Sequence, residues 1–273
     1  MKILKIMIVL LILILSVGAV CAAENTTDIM STDSQEILQT SQNEVYATSE
    51  ASFTNLTDEI TNADTFLELT KDYTFNDETD KYTGIYISKD NFVLNGKGHT
   101  IDAKFQTKIF VITGNNITIS NLTLINGHNT EKNGGAIYST GSLTLKNITF
   151  NNNRAEDGGA IYCENYTEIT NCNFNNNVAE WGGSIYSTSN DTIISNSTYS
   201  NSMSKYAAAI YTEGNVSIVN SIFKNLHANE TAGAITLKKF KYVEIKNCTF
   251  INTTSVRNGG AIFIDASFNN YLQ

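Results

Sequence analysis

Proline is absent from the 273 residues, which removes the residue that most often interrupts a central strand, because proline cannot donate to a β-ladder. Cysteine occurs four times, histidine three times and tryptophan once. That scarcity excludes a disulfide-dense scaffold, and His99, His128 and His227 share no zinc-ligand spacing. Basic runs are missing too: 27 Asp and Glu face 18 Lys and Arg, a formal net charge of −9. An acidic chain without a basic patch excludes nucleic acid as a natural partner and suits cations and sugars. There is no P-loop, nucleophile elbow, EF-hand or Gly-rich nonapeptide repeat, so no cofactor is expected.

The long apolar run is confined to the N-terminus. Lys2 and Lys5 precede an unbroken stretch from Ile6 to Leu15, and small residues follow. This layout predicts a signal peptide over residues 1–23, with cleavage after Ala22 or Ala23. The competing readings are a retained membrane anchor, for which the run is near the lower limit of length, and a lipoprotein at Cys21, which Val20 disfavours. Cleavage would remove two lysines and no acid, taking the net charge from −9 to −11 and leaving no transmembrane domain in the mature chain. Residues 24–52 are polar and acidic with few large apolar residues, the composition of a disordered leader. Phe53, Leu56 and Ile60 then fall at helical spacing with Ser52 or Thr54 available as a cap, so residues 53–84 are expected to form an N-terminal cap and the first strands.

What dominates the rest is repetition. GGAIY at Gly134–Tyr138 returns at Gly158–Tyr162, as GGSIY at Gly182–Tyr186, AAAIY at Ala207–Tyr211, AGAIT at Ala232–Thr236 and GGAIF at Gly259–Phe263, at intervals of 24 to 27 residues. A second signal runs out of phase with it: Asn121, Asn147, Asn171, Asn196, Asn220 and Asn247, each followed three residues later by Leu124, Phe150, Phe174, Tyr199, Phe223 or Phe250. Apolar residues alternate on both sides of each Asn, which reads as strand, tight corner, strand. Adding the GGAIY strand gives three short strands and three corners per repeat. No segment between repeats reads as helix, and the spacing of a leucine-rich repeat is missing.

The expected fold is therefore all-β: a right-handed single-stranded parallel β-helix, a solenoid of about seven coils over residues 85–273 with a short N-terminal helical cap. Coils at ~4.8 Å would give a stem of roughly 34 Å. The six corner asparagines are expected to form a structural ladder, since each amide both donates and accepts. Gly-Gly supplies positive φ or close backbone approach at another corner. At Ala207-Ala208, either that corner does without positive φ or the coil is distorted. The coil breaks off after Ile264 at Asn269 to Gln273, which reads as a truncated C-terminal end.

The GGAIY repeats, together with Phe150-Asn151-Asn152-Asn153 and Phe174-Asn175-Asn176-Asn177, resemble the repeats of polymorphic outer membrane proteins. The segment LNGKGHTIDA at Leu94–Ala103 and the Asn-rich, proline-free composition resemble the adhesin-like proteins of methanogenic archaea. The resemblance implies a pectin lyase-like fold on a secreted or cell-surface protein that contacts cells, an envelope or a glycan.

Stacked Tyr138, Tyr162, Tyr186 and Tyr211 are the candidate ligand-contact strip, as structural stacking or as a carbohydrate surface. No catalytic and no metal residues are nominated. The acids scatter, and only Glu131, Glu156 and Glu180 fall in near-register ahead of successive Gly-Gly pairs. Cys172 and Cys248 share an inward position three coils apart, ~14 Å against the ~7 Å limit for a disulfide, so with Cys163 they are expected as free thiols. Twelve Asn-x-Ser/Thr sequons occur; those at Asn121, Asn147, Asn196 and Asn247 are expected to be shielded by the ladder. The leading functional expectation is a non-enzymatic adhesin-like stem, against a β-helix polysaccharide lyase or glycoside hydrolase and against a passive envelope spacer.

Overall fold

The structure, a computed structural model, describes residues 51–130 and 132–265. The expected signal peptide, the leader up to residue 50, Glu131 and residues 266–273 lie outside the described residues.

The described part of the chain begins with a helix, α1 (Phe53–Asn62). Ser52 and Asn55 cap it reciprocally: the Ser52 hydroxyl accepts the Asn55 N–H, and the Asn55 side chain accepts the Ser52 N–H at 2.8 Å. Asp80 takes the N–H groups of Phe53 and Thr54 at 2.9 and 2.7 Å. Burial raises the pKa of that carboxyl, but these N–H groups and that of Asn76 outweigh it and hold the value below the ordinary one. At the far end Lys89 donates to the carbonyl of Ile60 at 2.8 Å. Phe53, Leu56 and Ile60 are buried on the first coil, as their spacing predicts.

The remainder is a parallel β-solenoid. The smaller of its two sheets has eight strands: β1 (Ile85–Ile87), β2 (Phe110–Ile112), β3 (Ile137–Ser139), β4 (Ile161–Cys163), β5 (Ile185–Ser187), β6 (Ile210–Thr212), β7 (Ile235–Lys238) and β8 (Ile262–Asp265). Each pairs in parallel with the strand one coil on, in strict register. This makes about eight turns rather than seven.

The other sheet, of sixteen strands, wraps two sides of the coil. Its two sides meet at single-residue corners. In the strand Ile117–Ile125 the corner is Asn121, at φ 54°. All six expected corner asparagines have φ between 51° and 55°, the left-handed region that Asn tolerates better than most residues with a Cβ. The sequence reading missed a second row five residues on: Asn126, Asn152, Asn176, Asn201, Asn225 and Asn252, at φ 50° to 58°. The third corner carries Gly134, Gly158, Gly182 and Gly259 at φ 62° to 67°. Ala207 and Ala232 adopt φ 59° and 55° there, so neither alternative raised for the Ala-Ala copy holds. The corner keeps its geometry, and alanine bears a cost of roughly 1–2 kcal/mol.

Between the corners, alternation points one side chain in two at the core. Phe150, Phe174, Tyr199, Phe223 and Phe250 form a column with ring centroids 4.7 to 4.8 Å apart and planes within 8°. Isoleucine and leucine rows line the other walls, each large buried side chain contributing on the order of 1.5–3 kcal/mol. Cys163 and Cys172 are buried in this core and Cys248 is half-buried, all as free thiols. Burial, before any other cause, raises the Cys163 thiol and pushes that of Cys172 up to about 12.

Candidate functional site

The strict register of the small sheet turns one residue per strand into an outward row: Tyr86, Val111, Tyr138, Tyr162, Tyr186, Tyr211, Thr236 and Phe263. The four nominated tyrosines are its centre. Tyr138 and Tyr162 are tilted by 38° with centroids 5.7 Å apart, whereas Tyr162, Tyr186 and Tyr211 stack at 5.2 and 4.9 Å with planes within 10°. Rings stacked this way cover one another's faces. A ligand arriving at the centre of the row meets ring edges and hydroxyls.

Two of those hydroxyls are held by acids. Tyr138 donates to Glu164 at 3.0 Å and Tyr186 to Glu213 at 3.3 Å, and Glu213 also binds Lys239 at 2.7 Å. Burial first, then the Glu164 carboxylate, pushes the Tyr138 phenol up to about 12. Burial and the Glu213 charge raise Tyr186 further, so Tyr138 and Tyr186 stay un-ionised.

Tyr211 does not share the surface of the other three, being only 2% exposed. Trp181 meets it in a T-shaped contact at 5.1 Å and itself stacks on Tyr206 at 3.9 Å, while the Lys238 ammonium lies 5.5 Å from the Tyr211 ring centre. Beneath this cluster the methyls of Ala207 and Ala232 are buried. Sequence periodicity could not reveal the cover, because Trp181 and Tyr206 belong to no repeat.

Asp157 lies one coil before Trp181 in register. Burial, then Glu156, raise its carboxyl to about 6, with Glu180 and Glu213 adding to this and Lys132 opposing it. Of the near-register acids, Glu131 lies outside the described residues, Glu156 faces Lys132 at 3.8 Å and Glu180 binds Lys205 at 2.8 Å. That edge is a row of ion pairs. The histidines are dispersed: His99 contacts Asp72 at 3.0 Å, His128 the Phe105 carbonyl and His227 the Thr254 hydroxyl. Among the described residues no group of three His, Cys, Asp or Glu is placed to hold a metal.

The nominated asparagines sit on the outer side of their corner. Asn121 is half-buried, and Asn147, Asn171, Asn196, Asn220 and Asn247 are exposed. Side-chain bonds link Asn121 to Asn95 at 2.9 Å, Asn147 to Asn121 at 3.0 Å and Asn247 to Asn220 at 3.2 Å. The sequons at Asn147, Asn196 and Asn247 are therefore at the surface, contrary to the shielding expected of them. A buried amide ladder lies elsewhere. Asn153 and Asn177, both 0% exposed, bond to each other at 3.1 Å and reach the carbonyls of Leu124 and Phe150 at 3.2 and 3.1 Å. The Asn177 N–H is taken by the Ser202 hydroxyl at 3.2 Å.

Two stretches, residues 147–164 and 171–188, match the Chlamydia polymorphic membrane protein repeat. Each runs from an exposed corner asparagine through a core phenylalanine and a buried asparagine to the Gly-Gly corner and a row tyrosine. No curated protein and no solved structure matches the chain. Among the described residues no helix is long and apolar enough to cross a membrane.

Proposed function

We propose that this chain is a secreted or cell-surface, adhesin-like β-solenoid that contacts cells, the envelope or glycans without transforming them. The observation that carries the reading is the outward row on the small sheet: tyrosine hydroxyls in coil-by-coil register, held by Glu164 and Glu213 on a scaffold whose core and corners repeat. Polar groups fixed on a rigid sheet lose little freedom on binding, which is what a weak, extended contact with a sugar chain requires. The match to a membrane-protein repeat supports a surface location. The resemblance of the Leu94–Ala103 segment and of the Asn-rich, proline-free composition to the adhesin-like proteins of methanogenic archaea supports the same reading. Among the described acids in register, Glu156 and Glu180 are engaged with lysines, which weighs against a lyase or hydrolase built on that edge.

The test is a glycan array run beside a reducing-end release assay on the same polysaccharides. Binding without release is the expected result, weakened when Tyr138, Tyr162 and Tyr186 are together replaced by Phe. Release of reducing ends would replace this reading with an enzyme, and silence in both assays would leave a spacer.

A further inference from the structure

The first member of the outward row differs from the rest. Tyr86 on β1 is 51% exposed, its neighbour in register is Val111, and it makes no ring contact among the described residues. It offers a ring face where the central tyrosines offer edges. Beside it lies a cleft of about 300 Å³ between the first turns of α1 and residues 81–86, at the lower end of the ~300–1,000 Å³ range of small-ligand sites.

The walls of the cleft are chemically mixed. Phe53, Thr54, Thr57 and Thr83 line it, with the Thr54 and Thr57 hydroxyls donating to the Thr79 and Phe53 carbonyls and keeping their oxygens as acceptors. Asp58, on the helix, and Lys81, in the segment leading to β1, both line the cleft. Both are exposed, and neither makes an ion pair or hydrogen bond among the described residues. The helix N-terminus is not the attraction, because Asp80 already takes the N–H groups of Phe53 and Thr54. What remains is one aromatic face, one acceptor carboxylate, one donor ammonium and a set of hydroxyls around a small space.

We propose that this cleft binds a single neutral hexose unit of a glycan, its apolar ring face on Tyr86 and its hydroxyls shared between Asp58 and Lys81. Aromatic faces take the C–H side of a sugar, and a charged donor or acceptor bonds its hydroxyls more strongly than a neutral one. Asp58 and Lys81 cancel locally, so the site favours neither a uronate nor an amine. The net charge of −9 on the chain repels polyanionic glycans from the whole surface. The inference rests on the glycan-binding reading above and deepens it: the ring is gripped at Tyr86, and the rest of the glycan runs along the hydroxyls of Tyr138, Tyr162 and Tyr186.

The full chain would be titrated with neutral oligosaccharides ending in galactose, glucose or mannose, and with uronic-acid oligosaccharides. Tyr86→Ala and Asp58→Asn are both surface changes, and circular dichroism would verify the β-fold of each. The expected result is binding of a neutral oligosaccharide that weakens about tenfold or more in each variant, with no uronic-acid binding. Affinity within twofold of the original in both variants, with loss in the Tyr138, Tyr162 and Tyr186 to Phe variant, would overturn the Tyr86 site while leaving the glycan reading intact. Preference for uronic acids would overturn the neutral-sugar assignment. A chain that binds no glycan at all would overturn both readings.

Discussion

Asp157 shows how a repeated scaffold concentrates cost in one side chain. Its half-buried carboxyl, beside Glu156, Glu180 and Glu213 and opposed by Lys132, has its pKa raised from 3.8 to about 6. The native state thus holds this proton more tightly than the unfolded chain does. The resulting stability is fully present below the unfolded pKa and is lost as pH rises through about 6. Asp157→Asn, which mimics the protonated form, should raise Tm at about pH 7.5 and change it little at about pH 3.5. Thermal melts of the two proteins at both values check this, and an equal shift at both would show that the carboxyl charge is not the cause. The same scale shows a limit on sequence reading. The tyrosine row followed from the period of GGAIY, whereas the burial of Tyr211 under Trp181 and the raised Asp157 come from residues that occur once.

Corners and ladders belong to the element scale, and here the sequence was half legible. Asn121 and its five counterparts stand out because each is isolated between alternating apolar residues. Asn151 to Asn153 and Asn175 to Asn177 are runs of three identical residues, and composition cannot say which of the three turns inward. The backbone decides it: Asn152 and Asn176 take positive φ, and that bend directs Asn153 and Asn177 into the core. Loss of the inner amide should matter far more than loss of an outer one. Asn177→Ala strands the Phe150 carbonyl and the Asn153 N–H, each buried group costing about 1–3 kcal/mol when unpaired. Asn171→Ala loses only the tolerance of Asn for its corner, about 1 kcal/mol. Denaturant unfolding of both variants measures the order, and equal losses would refute the inner ladder as the stabilising one.

At the scale of the whole molecule, each coil contacts mainly its neighbours, so stability is expected to be close to a sum over coils and their interfaces. Excision of residues 134–157 joins Asn133 to Gly158, which occupies the same positive-φ corner as Gly134. Phe174 then follows Leu124 in the core column, and Asn177 inherits the Leu124 carbonyl from Asn153. The shortened chain should keep its β-type circular dichroism and unfold with a smaller denaturant slope and a lower midpoint. An unfolded product would mean that the solenoid is one cooperative block. The architecture was legible at this scale because a solenoid writes its period into the sequence, and the expected count of turns over residues 85–273 came within one of the eight strands of the small sheet.

The parallel ladders also decide how the molecule answers a pull. Every ladder bond between coils runs along the stem, so a pull on a chain end peels its own terminal coil first and the next coils after it. Each coil of 24 to 27 residues occupies ~4.8 Å of stem but spans roughly 80 Å once extended. A short rod thereby holds a long reserve of chain length, released coil by coil.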